Sequence, residues 1–510
     1  MSPALAEKQR AVAAVAGLQP PALWRFFAEL SQIPRPSKHE ERVLEWVKAF
    51  ANERSLNYRQ DTVGNLVIYR SGSGGGEGAP AVVIQGHLDM VTEKNSNVEH
   101  DFFADGLTLR RTEDDAWLMA SGTTLGADNG IGVCAALALL DAPQSTKLPP
   151  LECLFTVDEE TGLTGAFQLD ASMLSGRTML NLDTEDWPEI FIGCAGGGDS
   201  RLSLPVAFAP VPVGAAAFQV TVTGLMGGHS GLNINEGRGN AVVFAARAAD
   251  AIVAGVPGAR LAAIVGGDKR NAIPREASAT LTVPAEDADK VGALASDVYN
   301  ALTAEYGALE SDLALRWAPV QQVPDQALEP ADAAKVLALL LTLPHGVMKY
   351  SHTVPGLVET SSNLAAVRCE LGEANVPGAE CAITCSSRSS LMPALEAVRS
   401  SIAKLAGLVG ARLEQEDAYP GWQPDPSSAV LQLTREVLHE ITGAPPKVGA
   451  IHAGLECGIL GAKVPGMDMV SYGPTIRGAH SPEERVEVAT VAPFWEATLR
   501  LLGRLADRRT

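Results

Sequence analysis

The sequence predicts an α/β domain interrupted by a large α+β insert. Three observations carry this. Residues 1–202 alternate helical patterns with short, nearly continuous apolar strands, the mark of a sheet covered on both faces and largely parallel. After Gly196-Gly197-Gly198 the strands become half-exposed, alternating apolar with polar residues. After the break Pro420-Gly-Trp-Gln-Pro-Asp-Pro426 the first pattern resumes. The expected division is 1–202 and 421–510 for the α/β domain and 203–420 for the insert. A chain of 510 residues is too long for one ordinary core, which fits two or three domains.

In chain order, Trp24 to Leu30 and Glu41 to Phe50 read as amphipathic helices. Leu66 to Tyr69 and Ala81 to Gln85 read as strands, with the glycine-rich loop Ser71 to Gly78 between them. A helix is expected near Gly130 to Leu140, then strands at Leu151 to Val157 and Thr178 to Leu182. In the insert, Phe218 to Thr223 and Ala277 to Val283 alternate as strands, and Asn240 to Val253 and Asp287 to Tyr306 read as helices. The segment from Asn271-Ala-Ile-Pro through a strand and a helix resembles the one from Asn363-Leu-Ala-Ala through Glu380 to Ser386 and Pro393 to Leu405. The insert is therefore read as two similar lobes. After the break come a helix at Ser428 to Ile441 and a strand at Asp468 to Ser471.

Composition excludes several function classes. Lys+Arg is 40 and Asp+Glu is 60, a net charge of −20. Nucleic acid and anionic membrane both reward basic patches, so neither is expected as a partner. No apolar run is long enough to cross a bilayer. Arg10 ahead of Ala11 to Leu18 faintly resembles a secretory signal, but the stretch is short, Ala-rich and ended by Pro20-Pro21, and reads as a helix. Seven scattered Cys do not make a disulfide framework and fit a reducing cytoplasm.

The chemistry lies in five clusters. Ala81-Val-Val-Ile-Gln-Gly-His87-Leu-Asp89 is an apolar strand ending in His and Asp. Leu151 to Val157 runs into Asp158-Glu159-Glu160, and Thr178-Met-Leu-Asn-Leu-Asp183 ends in Asp. Met467 to Tyr472 precedes a loop holding His480, and Gly126-Ala-Asp128-Asn-Gly130 opens a helix. In open α/β sheets, groups at the carboxyl ends of strands converge on one site. Imidazole and carboxylate are zinc ligands. Two His, two terminal carboxylates and one bridging Asp would hold a metal pair ~3.5–4 Å apart. Asp89, two residues after His87, can accept the ring N–H and fix the tautomer. Of Glu159 and Glu160, one can bind metal while the other stays free as a base. Each piece alone has an ordinary reading: Asp128 as a helix N-cap, Glu159-Glu160 as a solvated turn. Ser481-Pro-Glu-Glu484 reads as a helix start with a capping box, leaving His480 just outside it.

Together with Gly227-Gly-His-Ser-Gly231, Arg270-Asn-Ala-Ile-Pro-Arg-Glu276, His452-Ala-Gly-Leu-Glu-Cys-Gly458 and Gly478-Ala-His-Ser-Pro482, these motifs resemble the zinc-dependent exopeptidase and deacylase family. That family includes carnosinases, tripeptidases and succinyl-diaminopimelate desuccinylase, and within it the chain is most similar to the bacterial aminoacyl-histidine dipeptidases. The resemblance runs nearly end to end. It implies a zinc-peptidase (phosphorylase/hydrolase-like) α/β catalytic domain with an α+β lid, and hydrolysis of short peptides with a free C-terminus, Xaa-His dipeptides such as carnosine among them. It implies two divalent ions, Zn2+ first with Co2+ or Mn2+ as alternatives, a small peptide as partner, and a homodimer. His87 and Asp183 would bind one ion, Glu160 and His480 the other, and Asp128 would bridge. Glu159 would be the general base and Asp89 the orienter of His87. His229 would steady the oxyanion, reaching across from the second subunit in dimeric relatives. Arg388 would hold the substrate carboxylate and Asn271 would touch substrate. The ordinary readings here are a flexible turn for Gly-Gly-His-Ser-Gly, a solvated sheet residue for Arg388 and a turn residue for Asn271. Rival functions are an N-acyl amino acid deacylase or carboxypeptidase with the same site, and a metal- or peptide-binding protein without turnover, against which a free Glu159 argues.

Overall fold

The structure, a computed structural model, describes residues 3–371 and 379–508. The chain forms two compact units. The first runs to Gly193 and takes in Trp422–Ala450 and the stretch from Leu455; the second comprises Cys194–Gly421 and Ile451–Gly454.

The first unit is built on an eight-stranded sheet in the order Asn57–Gln60, Leu66–Arg70, Leu151–Thr156, Val82–His87, Thr178–Asn181, Asp468–Ser471, Ile190–Cys194, Val448–Ile451. The four central strands, from Leu151–Thr156 to Asp468–Ser471, are mutually parallel, while Leu66–Arg70 joins them antiparallel. The sheet is thus parallel only at its centre. Its central strands show no apolar–polar alternation because both faces are covered. Ile84, Ile68, Cys153 and Leu180 enter one core with the helices Pro21–Leu30, Glu41–Glu53, Ala127–Leu140, Ala429–Thr442 and Val488–Leu505. Their neighbours Val83, Val67, Leu154 and Met179 enter another with Glu456–Lys463 and Thr164–Gln168. Successive side chains of a strand point to opposite faces, so a two-faced burial demands an unbroken apolar run. Ala127–Leu140 is apolar all round because it lies between this sheet and Pro21–Leu30. Ala429–Thr442 starts where Ser428 Oγ accepts from Leu431 N at 3.0 Å, a side-chain cap for one orphan amide.

A small antiparallel sheet of the same unit contains Ile476–Arg477, Arg485–Glu487, Trp117–Ala120 and Leu109–Arg111. It overturns one expectation. Ser481 does not start a helix: residues 481–484 form a turn, Arg485–Glu487 is a strand paired with Trp117–Ala120, and the helix begins only at Val488. The capping-box glutamate is engaged elsewhere.

The second unit carries a nine-stranded antiparallel sheet containing Ala216–Thr223, Ala277–Val283, Arg260–Gly266, Val358–Cys369, Glu380–Ser389 and Gly196–Pro205. Val220 and Val222 face a core shared with the helices Ala241–Gly255, Ala288–Tyr306, Pro330–Thr342 and Met392–Val409. Asn240 caps the first of these, its side chain accepting from Val242 N and Val243 N. Ala277–Val283 and Glu380–Ser389 belong to this one sheet, each followed by a helix. No described helix is long and apolar enough to cross a membrane. All seven cysteines are buried, and none among the described residues is in a disulfide.

Candidate active site

The carboxyl ends of the parallel strands bring the expected residues of the first unit together. Val82–His87 ends on His87, Leu151–Thr156 runs out to Glu159 and Glu160, Thr178–Asn181 leads to Asp183, and Asp468–Ser471 leads to the loop of His480. His87 Nε2 lies 3.0 Å from Asp128 Oδ1 and 3.5 Å from Asp183 Oδ1. His480 Nε2 lies 2.9 Å from Glu160 Oε2 and 3.4 Å from Asp128 Oδ2. Asp128 therefore stands between the two imidazoles with one oxygen toward each. On the other edge of His87, Nδ1 is 3.3 Å from Asp89 Oδ1. Asp89 also accepts from Ser37 Oγ at 2.7 Å and from the N–H groups of Glu159 and Glu160 at 3.1 Å each. One buried carboxylate thus lies beside the ring of His87, whose Nδ1 makes no hydrogen bond, and holds the turn that presents the two glutamates.

That turn is set locally too. Asp158 adopts a left-handed φ of 51°, and its side chain accepts from the hydroxyls of Thr161 and Thr164. Asp128 sits at a break in its helix, with φ −77° and ψ 114°, and its side chain makes no cap hydrogen bond. Gly126 occupies the N-cap position, with φ 65°, and has no side chain to offer. A Cβ there would also meet Arg35 Nη2 at 2.4 Å, so glycine is required on two counts.

Below the site runs a buried polar row. Gln85, Asn181 and Ser471 stand in register on three adjacent strands. Asn181 Nδ2 donates to Gln85 Oε1 at 2.5 Å and Ser471 Oγ to Asn181 Oδ1. Glu456 Oε2 accepts from Gln85 Nε2 at 2.6 Å and Thr156 Oγ1 at 2.7 Å. His87 follows Gln85 by two residues and so shares its face of the sheet.

The electrostatics of the site call for positive charge. Burial pushes the Glu159 carboxyl well above its ordinary range, reinforced by the charges of Asp183, Glu456 and Glu160. Burial raises Asp183, Glu160 and, to about 7, Glu456. The carboxylates in turn push His480 up to about 11 and, against burial, raise His87 well above its ordinary value.

The remaining expected residues, His229, Arg388 and Asn271, fall in the second unit. His229 Nδ1 accepts from Gly231 N at 3.2 Å and Leu232 N at 3.0 Å, so the ring proton sits on Nε2. Burial and the Arg388 charge hold this imidazole down at about 4, hence neutral. Arg388 is buried in Glu380–Ser389; its Nη1 donates to Tyr419 Oη at 3.2 Å and its Nε is buried without a hydrogen-bond partner. Asn271 is exposed in the turn beside His229, its carbonyl accepting from Ser230 N at 2.8 Å.

The sequence profile of Peptidase family M20/M25/M40 matches residues 83–504. The chain is 40% identical over 492 residues, 96% of its length and 98% of the relative's, to the cytosol non-specific dipeptidase of Escherichia coli strain K12. The chain belongs to the M20 peptidase family. Among solved structures, this M20 chain is similar to aminoacylhistidine dipeptidase from Vibrio alginolyticus, with a TM-score of 0.87 and 40% identity, covering 96% of this chain and 97% of that one. Aminopeptidase PepT from Bacillus cereus, at 15% identity and a TM-score of 0.58, covers 96% of this chain and 100% of that one and shares the fold.

The donor set of this peptidase suits a divalent cation. Ligand atoms of His87, Asp128 and Glu160 lie within 4.8 Å of one another, and Asp183 Oδ1 is buried without a hydrogen-bond partner. His and carboxylate together are a zinc-type donor set. The sequence reading missed four residues around it. Ser37 steadies Asp89, and Glu456 anchors the polar row. Arg35, 2% exposed, donates to Leu88 O and Asp89 O at 2.8 Å each and to Gly126 O. Glu484 binds the amides of residues 125–128. Arg35 stands out locally as a charged residue between two prolines in Ile33-Pro-Arg35-Pro36, while Glu456 lies in the motif His452-Ala-Gly-Leu-Glu-Cys-Gly458 without a role and Glu484 reads as a local cap.

Proposed function

We propose that this peptidase hydrolyses dipeptides with a free C-terminus, Xaa-His dipeptides among them, at a centre of two divalent cations, zinc first. The observation that carries the reading is the convergence of four ligand-type side chains on a fifth, Asp128, with its oxygens 3.0 Å from His87 Nε2 and 3.4 Å from His480 Nε2. His87 and Asp183 would hold one ion, Glu160 and His480 the other, and Asp128 both. Bound there, the ions would polarise the scissile carbonyl and lower the pKa of water.

The other roles belong to the chain's own groups. Glu159 takes the proton of the attacking water on its carboxylate and delivers it to the leaving amine nitrogen. Burial raises its carboxyl above the ordinary range, which strengthens it as a proton acceptor. Asp89 keeps His87 oriented with Nε2 toward the ligand carboxylates. His229 carries a neutral Nε2–H, a donor suited to a developing oxyanion. Arg388 has an unpaired Nε and a guanidinium shaped for a carboxylate, and so selects substrates with a free C-terminus. Asn271 adds a polar contact to substrate. The two near-full-length relatives carry dipeptidase names, one non-specific and one aminoacylhistidine, which favours a dipeptidase over a deacylase and leaves the breadth of specificity to experiment. Seven buried cysteines with no disulfide among the described residues support a cytoplasmic setting.

One panel tests the reading: β-alanyl-His, other Xaa-His dipeptides, unrelated dipeptides, tripeptides and N-acyl amino acids. Dipeptides should be cut fastest. Preferred turnover of N-acyl amino acids would replace the dipeptidase with a deacylase.

A further inference from the structure

Glu484 lies far along the chain from Asp128, yet it supplies what that residue's own helix lacks. The first amides of a helix have no partner within it and need an acceptor. Ahead of Ala127–Leu140 stands Gly126, without a side chain; Asp128 (φ −77°, ψ 114°) and Asn129 (φ −100°, ψ 32°) interrupt the first turn with non-helical backbone, and Asp128 turns its carboxylate to His87 and His480. Glu484 fills the gap. Its Oε2 accepts from Leu125 N at 2.7 Å and Gly126 N at 2.8 Å, and its Oε1 from Ala127 N at 2.7 Å and Asp128 N at 3.2 Å. Four consecutive amides converge on one carboxylate that is 2% exposed.

The carboxylate is itself tied to the His480 loop. Glu484 N donates to Ser481 O at 3.0 Å and Ser481 N to Gly478 O at 3.2 Å, closing the turn that holds His480. Arg35 grips the same helix start from another direction, through Gly126 O, while binding Leu88 O and Asp89 O beside His87. The backbone leading to Asp128 is therefore held by the buried Glu484 carboxyl on its amides and by the buried Arg35 guanidinium on Gly126 O.

Resting on the two-cation reading above, we propose that Glu484 is a positioning residue for the Asp128 carboxylate and the His480 loop together, and so sets the affinity of the centre for both ions at once. It touches neither ion nor substrate. Because Asp128 faces both imidazoles, displacing its backbone weakens the two ions in parallel, whereas loss of a terminal ligand such as Glu160 weakens mainly one. Glutamine is the sharpest substitution: it keeps the shape but turns an NH2 toward amides that are themselves donors.

The test is Co2+ or Zn2+ binding to the metal-free full chain, read by competition with a chelating dye and by the Co2+ absorption spectrum, for parent, Glu484→Gln, Glu484→Asp and Glu160→Gln. Folding of each metal-free protein is checked by circular dichroism and thermal unfolding. We expect Glu484→Gln to be folded and to lose roughly 10–100-fold in affinity at both sites with an altered Co2+ spectrum, the scale for groups that orient metal ligands. Glu160→Gln should instead split the two affinities. Two ions bound to Glu484→Gln with parent affinity and parent spectrum would overturn the positioning role while leaving the two-cation reading intact. So would an unfolded Glu484→Gln beside a folded Glu484→Asp that binds both ions normally, because the role would then be in folding alone. A parent that binds no ion would instead remove the two-cation reading.

Discussion

Replacing Asp89 by Asn tests the support beneath His87 with a magnitude that the structure sets. Asp89 is fully buried, and its two oxygens accept from Ser37 Oγ at 2.7 Å and from Glu159 N and Glu160 N at 3.1 Å each. Asparagine keeps the size but has one acceptor oxygen. Whichever way the amide turns, one of the two backbone N–H groups faces another donor. Leaving that group unpaired costs about 1–3 kcal/mol, and the surviving bonds lose their charge assistance. A second route agrees. Burial pushes the Asp89 carboxyl up, but its hydrogen bonds and the His87 imidazole hold it down to about 2 from an ordinary 3.8. That depression corresponds to about 2 kcal/mol favouring the charged form. Urea unfolding of the metal-free protein at pH 7 should therefore show a loss of about 2–4 kcal/mol with an unchanged m-value. Metal affinity or turnover should fall roughly 10–100-fold, since the ring of His87 loses its orienter. A stability change under about 0.5 kcal/mol, the range of an indifferent surface substitution, would refute the reasoning.

Other outcomes follow from the same geometry. Glu159→Gln should keep fold and metal but lose turnover by several orders of magnitude, while Glu160→Gln should weaken metal binding; parallel kinetics and metal titrations would reveal a swapped assignment. Arg388→Ala should cut the preference for a dipeptide acid over its amide by a few kcal/mol, the scale of a charge-assisted pair; equal rates on acid and amide in the parent would remove the clamp. His452 is held down at about 3 by burial and by Arg388. The unfolded chain then binds a proton below about 6.5 that the folded chain refuses, so this histidine subtracts stability as pH falls from 6.5 toward 3. At pH 5 the loss is about 2 kcal/mol relative to pH 7, and His452→Gln should flatten that part of the pH–stability curve. An unchanged slope would contradict a neutral buried His452.

Much of this was legible in the sequence because its signals are local. Val82–His87 reads as a strand since burial on both faces leaves no alternation, and His87 lies where the apolar run stops. The strand ends at Asp183 and before Glu159 are marked in the same way, and a rule about sheets turns those ends into one place. The cap of Ala127–Leu140 was not legible. Asp128 looks like a local cap and Ser481-Pro-Glu-Glu484 like a local helix start, yet the acceptor for the first helix is Glu484, from the segment that seemed to cap itself. Helix-start patterns assume that the donors and acceptor are neighbours in sequence. Here a ligand carboxylate was needed elsewhere, and the substitute came from across the fold. Gln85, Asn181 and Ser471 are unremarkable polar residues until strand order places them side by side.

In the function proposed here, dipeptide hydrolysis depends on two divalent cations held by the His/carboxylate cluster. The most direct measurement is elemental analysis of active protein coupled to β-alanyl-His hydrolysis during chelation and stepwise return of Zn2+. Two ions per chain are expected, with loss of turnover as they are removed and recovery as they return. Full turnover in protein shown to hold no metal would contradict that dependence.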